Sequence, residues 1–438
     1  MSELVSMKVD AIIIGAGVIG AACAYELAKT GRKTLNIDML PAAGYGSTSN
    51  SCAIIRVYYS TIDSTALAYE AFHYWQEWAS YLGAKDGRGL AEFHDTGTLV
   101  MKTGSNGYMR KSCAIMDELN IPYEHWSATK ISSHLPSLDL KCFAPAKLRS
   151  DPNFGEPSGG EISGGVYFPA GGYVNDPQLA TRNLQNAAET CGGEFMFGRR
   201  VTEIKKSDNR ISSVVLDNGQ EIEADILINV AGPYSRKVNE LVDAQKDMRI
   251  TTRAIKQEVV HLPAPDGFEL GRSGLVISDS DIACYSRPEV GNHILIGSED
   301  PECDIRHEVD PDDWDNNFSE QWTTQAMRQA QRIPSLGITS KMRGAVDLYD
   351  VTEDWAPIYD KSSIHGYFMA IGTSGNQFKN APVAGKIMSA LISHADAKKD
   401  HDVAPAQIKL EHIGHNLDLT HFSRLRNINP DSSFSVLG

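Results

Sequence analysis

The chain has 438 residues, 41 Lys and Arg against 56 Asp and Glu (net charge −15), 42% hydrophobic and 22% charged residues. Its length is about three times the commonest domain size, which excludes a small stapled scaffold and gives two domains or one large α/β unit. The acidic balance without any basic block argues against a nucleic-acid partner, and the hydrophobic content excludes disorder. Seven cysteines lie singly, with no C-x-x-C pair, which suits a reducing compartment and speaks against structural zinc. The uncharged run from Ala11 to Tyr25 is too short to span a bilayer. The reading is therefore a cytoplasmic protein with no membrane span.

In chain order, Val9–Ile14 reads as a strand, Gly15-Ala16-Gly17-Val18-Ile19-Gly20 as a turn, and Ala21–Thr30 as a helix stopped at Gly31. A second strand, Lys33–Ile37, runs into Asp38. Strand, glycine turn, helix, strand and acid in this order form the dinucleotide-binding fingerprint. Gly15 allows the tight turn, Gly17 lets the backbone approach a pyrophosphate, and Gly20 packs helix on sheet. The helix start offers unpaired N–H groups to phosphate, and Asp38 accepts from a ribose hydroxyl. The glycines alone leave NAD and FAD both open.

Farther along, Leu67–Leu82 reads as one helix with Ala71, Trp75, Trp78 and Leu82 on a core face. The glycine- and proline-rich stretch 150–172 shows no period and reads as a loop, either a lid or a surface insertion. A strand at Gly366–Ile371 leads into a second glycine-rich turn, Gly372–Asn380, and a helix over Pro382–Ser393. His412, His415 and His421 have no metal-binding spacing, so no metal is expected.

The small-residue run Gly44–Ser51 followed by Ile54-Ile55-Arg56, the stretch Gly172–Pro177, Ile226–Asn229 with Ala231-Gly232-Pro233, Leu348–Thr352 with Pro357-Ile358, and the second glycine turn occur in a specific series. Over about Val9–Leu391 the chain resembles the FAD-dependent flavoprotein family of D-amino acid oxidase, glycine oxidase, monomeric sarcosine oxidase and dimethylglycine dehydrogenase. The resemblance implies an α/β fold (α+β overall): a Rossmann-like FAD-binding domain interleaved with a substrate domain built on a mixed or antiparallel sheet. Residues 1–90, 165–245 and 335–400 then form the FAD-binding part, 91–164 and 246–334 the substrate domain, and 401–438 a tail that docks on this chain or on a partner.

The same resemblance implies that FAD lies against Gly15, Gly17, Val18, Ile19, Gly20, Asp38 and Met39, against Ser47, Thr48 and Ser49, and against Val201, Ala231 and Gly232. In the second turn it implies Gly372, Ser374, Gly375, Asn376, Gln377, Phe378 and Lys379. Arg56 and Lys379 match the cations that clamp a substrate carboxylate in enzymes resembling sarcosine oxidase. Tyr285 and Tyr349 match aromatics lining the substrate cavity, and Arg287 is a further carboxylate ligand in some relatives. Two departures matter. Asp347 stands where sarcosine oxidase links its flavin through cysteine, so a non-covalent FAD is expected. Leu295 falls where that oxidase keeps an O2-activating lysine, so O2 or a separate electron acceptor remains open.

The expectation is an FAD-dependent oxidoreductase that converts the C–N bond of a small-molecule amino acid, secondary or N-methylated, to an imine. A 2-hydroxy-acid oxidoreductase on the same fold and a flavin-carrying subunit of a larger complex are the rivals. Oligomeric state stays open.

Overall fold

The computed structural model describes residues 7–104, 106–267 and 274–437; the extreme ends of the expected 1–90 and 401–438 segments lie outside them. A six-stranded sheet, in the order Glu194–Phe197, Thr34–Asp38, Ala11–Ile14, Ile226–Asn229, Tyr367–Ile371 and Ile358–Lys361, is parallel except for its last pair. Both of its faces are covered, which is why Ala11–Ile14 is apolar at every position instead of alternating. One face carries the helices Val18–Ala28, Pro177–Thr190 and Ala381–Asp396. The other packs on a four-stranded sheet, Met7–Lys8, Glu221–Glu223, Arg210–Leu216 and Val201–Ser207.

A nine-stranded mixed sheet forms the second layer system. Its long strand Arg253–Pro263 pairs antiparallel with Gly344–Val351, His293–Ser298 and Glu308–Val309. Through Cys284–Glu289 and Val276–Asp279 the sheet continues to Thr98–Met101, Gly164–Phe168 and Glu124–Ser127. The register places Gln257, Val259, Tyr285, Arg287, Leu295, Asp347 and Tyr349 on one face. The opposite face packs Val260, Leu262, Ile294 and Ile296 under the helix Glu320–Arg332.

Several local expectations change. The helix expected over 67–82 is two, Ile62–Gln76 and Trp78–Leu82, broken at Glu77 (φ −105°, ψ 32°). Its apolar residues remain buried across the break, and the rings of Trp75 and Trp78 stack at 4.4 Å. The stretch 150–172 is a loop only in its first part. Gly164–Phe168 and Gly171–Val174 are buried strands, and no residue of 150–172 lines the main cavity. Their glycines are there for close approach: a Cβ on Gly172 (φ +151°) would sit 1.9 Å from the His94 carbonyl oxygen. Strands Gly164–Phe168 and Gly344–Val351 hydrogen-bond within the large sheet, although the boundaries at 165 and 335 assign them to the cofactor part. The segment after 400 docks on its own chain. Ala406, Leu410, Leu417, Leu419 and Phe422 join the core beside the helix Ala381–Asp396, and buried Arg424 pairs with Asp247, Asp360 and Asp402. Among the described residues no helix is long and apolar enough to cross a membrane.

Candidate active site

A cavity of about 640 Å3 lies between the two large sheets, within the roughly 300–1,000 Å3 usual for cofactor and ligand sites. Its first end is made of backbone. Gly15, at φ +117°, passes so near the next strand that a Cβ would meet the Val230 carbonyl oxygen at 2.4 Å. The Asn36 amide, buried behind the turn, donates to the carbonyls of Gly15 and Gly20 at 3.1 Å each and fixes its shape. Helix Val18–Ala28 has no side-chain cap from Gly17 and no acid in its first turn, so its positive end faces the cavity and suits an anion. Thr48 Oγ1 accepts from the Val18 N–H at 3.2 Å. The Asp38 carboxylate accepts from the N–H groups of Ala16 (2.7 Å) and Leu40 (2.9 Å), while burial raises its pKa.

A segment of the large-sheet region covers this end. Pro311, Trp314 and Asn316 line the cavity. Arg200 pairs with Asp312 at 2.8 Å, Lys237 reaches Asp310 and Asp312 at 2.5 Å, and the Tyr234 hydroxyl donates to the Pro311 carbonyl at 2.7 Å.

The second end is made of side chains brought from distant segments. The glycine turn after Tyr367–Ile371 lies against the Tyr349 ring, where a Cβ on Gly375 (φ +68°) would meet ring carbon at 2.2 Å. Asp350 pins the turn by accepting from the Gly372 N–H at 2.6 Å, and burial raises its carboxyl to about 7. Lys379 follows in a short 3-10 turn. It is 3% exposed and donates to the Tyr59 hydroxyl (3.0 Å) and the Asn376 carbonyl (2.5 Å). Burial, then the neighbouring Arg56, depress its pKa well below the usual lysine value. Arg56 ends the strand Ile54–Arg56, is 5% exposed, and lies over the rings of Tyr59 and Tyr58. Its guanidinium donates only to carbonyls: Tyr58 at 2.5 Å, Val436 at 3.0 Å and Leu437 at 2.6 Å. Among the described residues neither cation has a carboxylate within ion-pair distance. A buried guanidinium beside a buried lysine that resists its proton is, with no carboxylate among the described residues, an arrangement that an anion would complete.

Tyr285 and Tyr349 line this end beside them, their phenols held protonated by burial. The Tyr285 hydroxyl lies 3.7 Å from Cys52 Sγ. Asp347 also lines the cavity, with its carboxylate accepting from Ser47 Oγ (3.1 Å) and Asn50 Nδ2 (2.6 Å).

Of the residues expected at the site, the cavity gathers Gly15, Gly17, Val18, Ile19, Gly20, Asp38, Met39, Ser47, Thr48, Ala231 and Gly232 at the first end. At the second it gathers Arg56, Tyr285, Tyr349, Gly375, Asn376, Gln377, Phe378 and Lys379. Five others do not line it. Ser49 turns its hydroxyl to the Gly46 carbonyl, and Val201 packs in the core under the four-stranded sheet. Gly372 and Ser374 wrap around Asp350. Arg287 spends its nitrogens on the Cys52 and Pro288 carbonyls and on Glu289, stacked over Tyr173. It is thus committed to protein partners and is no free carboxylate ligand. Leu295 sits on the cavity-facing side of the sheet, paired with Arg287 and His261, without lining the cavity.

Sequence reasoning missed Asn36, Tyr58, Tyr59, Ser278 and the pair Val436 and Leu437. Tyr58-Tyr59 directly follow Arg56 and could have been found by extending that strand. Ser278 lines the cavity and donates to buried Glu299, whose carboxyl burial raises to about 7.

The cradle fits FAD: a glycine turn and a helix start with no acid in its first turn for the diphosphate, and a second glycine turn against an aromatic for a flat ring. Over 413 residues the chain is 24% identical to the peroxisomal sarcosine oxidase of Mus musculus, covering 90% of this chain and 94% of that protein. Over 237 residues it is 23% identical to the mitochondrial dimethylglycine dehydrogenase of Homo sapiens, covering 54% of this chain but only 24% of that longer protein. The fold superposes on L-proline dehydrogenase from P. horikoshii with a TM-score of 0.74 at 20% identity, covering 89% and 95% of the two chains. The family model described as DAO, FAD dependent oxidoreductase, matches residues 10–391. The chain belongs to this family of FAD-dependent oxidoreductases.

Proposed function

We propose that this enzyme oxidises the C–N bond of an amino acid whose amine is secondary or N-methylated, with FAD held non-covalently. One observation carries the reading: buried Arg56 and the adjacent buried Lys379 stand, among the described residues, without a carboxylate at the end of a flavin-sized cavity. A substrate carboxylate would supply the missing charge and gain bidentate geometry from the guanidinium. The phenols of Tyr285 and Tyr349, protonated by burial, can donate to the same group while their rings exclude water. FAD supplies a two-electron acceptor: the substrate loses a hydride equivalent from the carbon beside nitrogen and a proton from nitrogen, and water hydrolyses the resulting imine. Names of relatives that include sarcosine oxidase and dimethylglycine dehydrogenase support the N-methylated class.

The side chains also support a free flavin. Asp347 cannot form a thioether, and burial raises the Cys52 thiol, leaving it a poor nucleophile. Acid precipitation should release all the yellow colour into the supernatant. Leu295 lies off the cavity while Lys379 lines it, so the site is compatible with O2 or a separate electron acceptor; stopped-flow reoxidation in air at a rate matching turnover would select O2. The decisive test is anaerobic bleaching of the purified yellow protein by a panel of D-, L- and N-methyl amino acids and 2-hydroxy acids. N-methyl or secondary amino acids should bleach it fastest. Bleaching by hydroxy acids alone would refute the amine chemistry, and no bleaching at all would favour a flavin-carrying subunit.

A further inference from the structure

Arg56, the acid anchor of the proposed function, is already occupied by this chain. Its Nη2 donates to the carbonyls of Val436 and Leu437, and both residues line the cavity. The Val436 side chain packs on Ile255, Val351 and Trp355 beside Tyr285 and Tyr349, at the substrate end. Residues 392–437 lie beyond the family match, and the earlier part of that stretch is docked independently through Arg424 and the core residues around Phe422.

Residues 432–437 are held from outside the cavity by hydrogen bonds, among them one from the Val436 N–H to the buried Asp300 carboxylate. Ser432 Oγ donates to the Asp354 carbonyl at 2.6 Å, and Arg306 Nη2 to the Phe434 carbonyl at 2.8 Å. Phe434 is 38% exposed and lies at φ +50°, an unfavourable backbone for a residue with a Cβ. The two neutral carbonyls satisfy Nη2 but, among the described residues, no carboxylate compensates the charge, whereas a bound carboxylate would do both. The same atoms cannot serve both partners.

We propose that residues 432–437 are a displaceable plug, so that an acid binds Arg56 only by replacing the carbonyls of Val436 and Leu437. This rests on the reading of Arg56 as acid anchor and deepens it into regulation of that site. The test uses the FAD-loaded protein and the flavin absorbance change on adding acetate and larger simple carboxylates. Deleting residues 432–437 should tighten carboxylate binding about tenfold, the worth of a charge-assisted hydrogen bond no longer competing. Arg306→Ala, which loosens Phe434 without touching the cavity, should tighten it by a smaller factor. In the unaltered protein, saturating carboxylate should speed amide hydrogen exchange across 432–437. Equal or weaker binding by both variants, with exchange unchanged or slowed, would make the segment a fixed wall and overturn the plug. If no carboxylate perturbs the flavin in any form, the anchor reading fails and the plug with it; a wild-type response equal to the variants' sinks the plug alone.

Discussion

The two ends of the cavity are built on different principles. The phosphate end is a product of neighbouring residues: Gly15 to Asp38 supply strand, turn, helix and acid within one βαβ unit, and the working groups are backbone N–H donors. The acid end joins side chains from Arg56, Tyr285, Tyr349, Lys379 and Val436, contributed by a small three-stranded sheet, the nine-stranded sheet, the turn after Tyr367–Ile371 and the segment after 400. A site made of backbone depends on what is absent, a Cβ or a cap. A site made of charged side chains depends on what is present and on what balances it.

The sharpest way to break the comparison is Gly15→Val. Its Cβ would overlap the Val230 carbonyl, so the protein should purify colourless, with flavin affinity down by more than about 100-fold, while far-UV circular dichroism stays near native. The opposite end should respond without losing colour. Arg56→Met or Lys379→Met should weaken carboxylate binding and raise KM by about 100-fold, the scale of one charge-assisted buried contact of about 3 kcal/mol, at full FAD content. Unchanged kinetics in both would remove the clamp.

Glu299 tests the side-chain end through stability. Its folded carboxyl is raised from 4.5 to about 7 by burial, so the native state binds a proton more tightly than the unfolded chain. Its contribution is full below about pH 4.5 and is lost as pH rises through 7. Glu299→Gln should therefore gain about 1–3 kcal/mol relative to the unaltered protein above pH 7 and flatten the denaturation profile between pH 5 and 8; parallel profiles would refute this. The smallest effect concerns Lys379. Its pKa is depressed in the free protein, and an anion favours its protonated form, so carboxylate binding takes up a proton. Affinity should fall as pH rises above that depressed value, by at most about tenfold per pH unit, and Lys379→Met should abolish the slope.

The contrast also explains what the sequence made legible. The phosphate end could be read because spacing and chemistry coincide over a few dozen residues. Arg56 and Lys379 were reachable because each adjoins a glycine-rich run. Arg287 was misplaced because strand position alone does not reveal that Glu289, two residues on, takes its charge. The strands around Gly164 and Gly172 were read as loop because the residue type that permits tight strand contact is also the one that punctuates turns. Glu77 breaks a helix whose apolar spacing continues through the break, so periodicity did not show it. Val436 and Leu437 carry no motif at all, since they act through carbonyl oxygens that every residue possesses.

The cover over the phosphate end is fastened by the ion pairs of Arg200 and Lys237 with Asp310 and Asp312, all partly open to water. Such fasteners respond to dissolved salt: at high ionic strength counterions crowd between the partners and the lid's grip slackens. The shape of the glycine turn beneath, fixed by the close approach of Gly15 to the Val230 carbonyl, does not depend on salt. Raised salt should therefore loosen this cover without reshaping the turn beneath it.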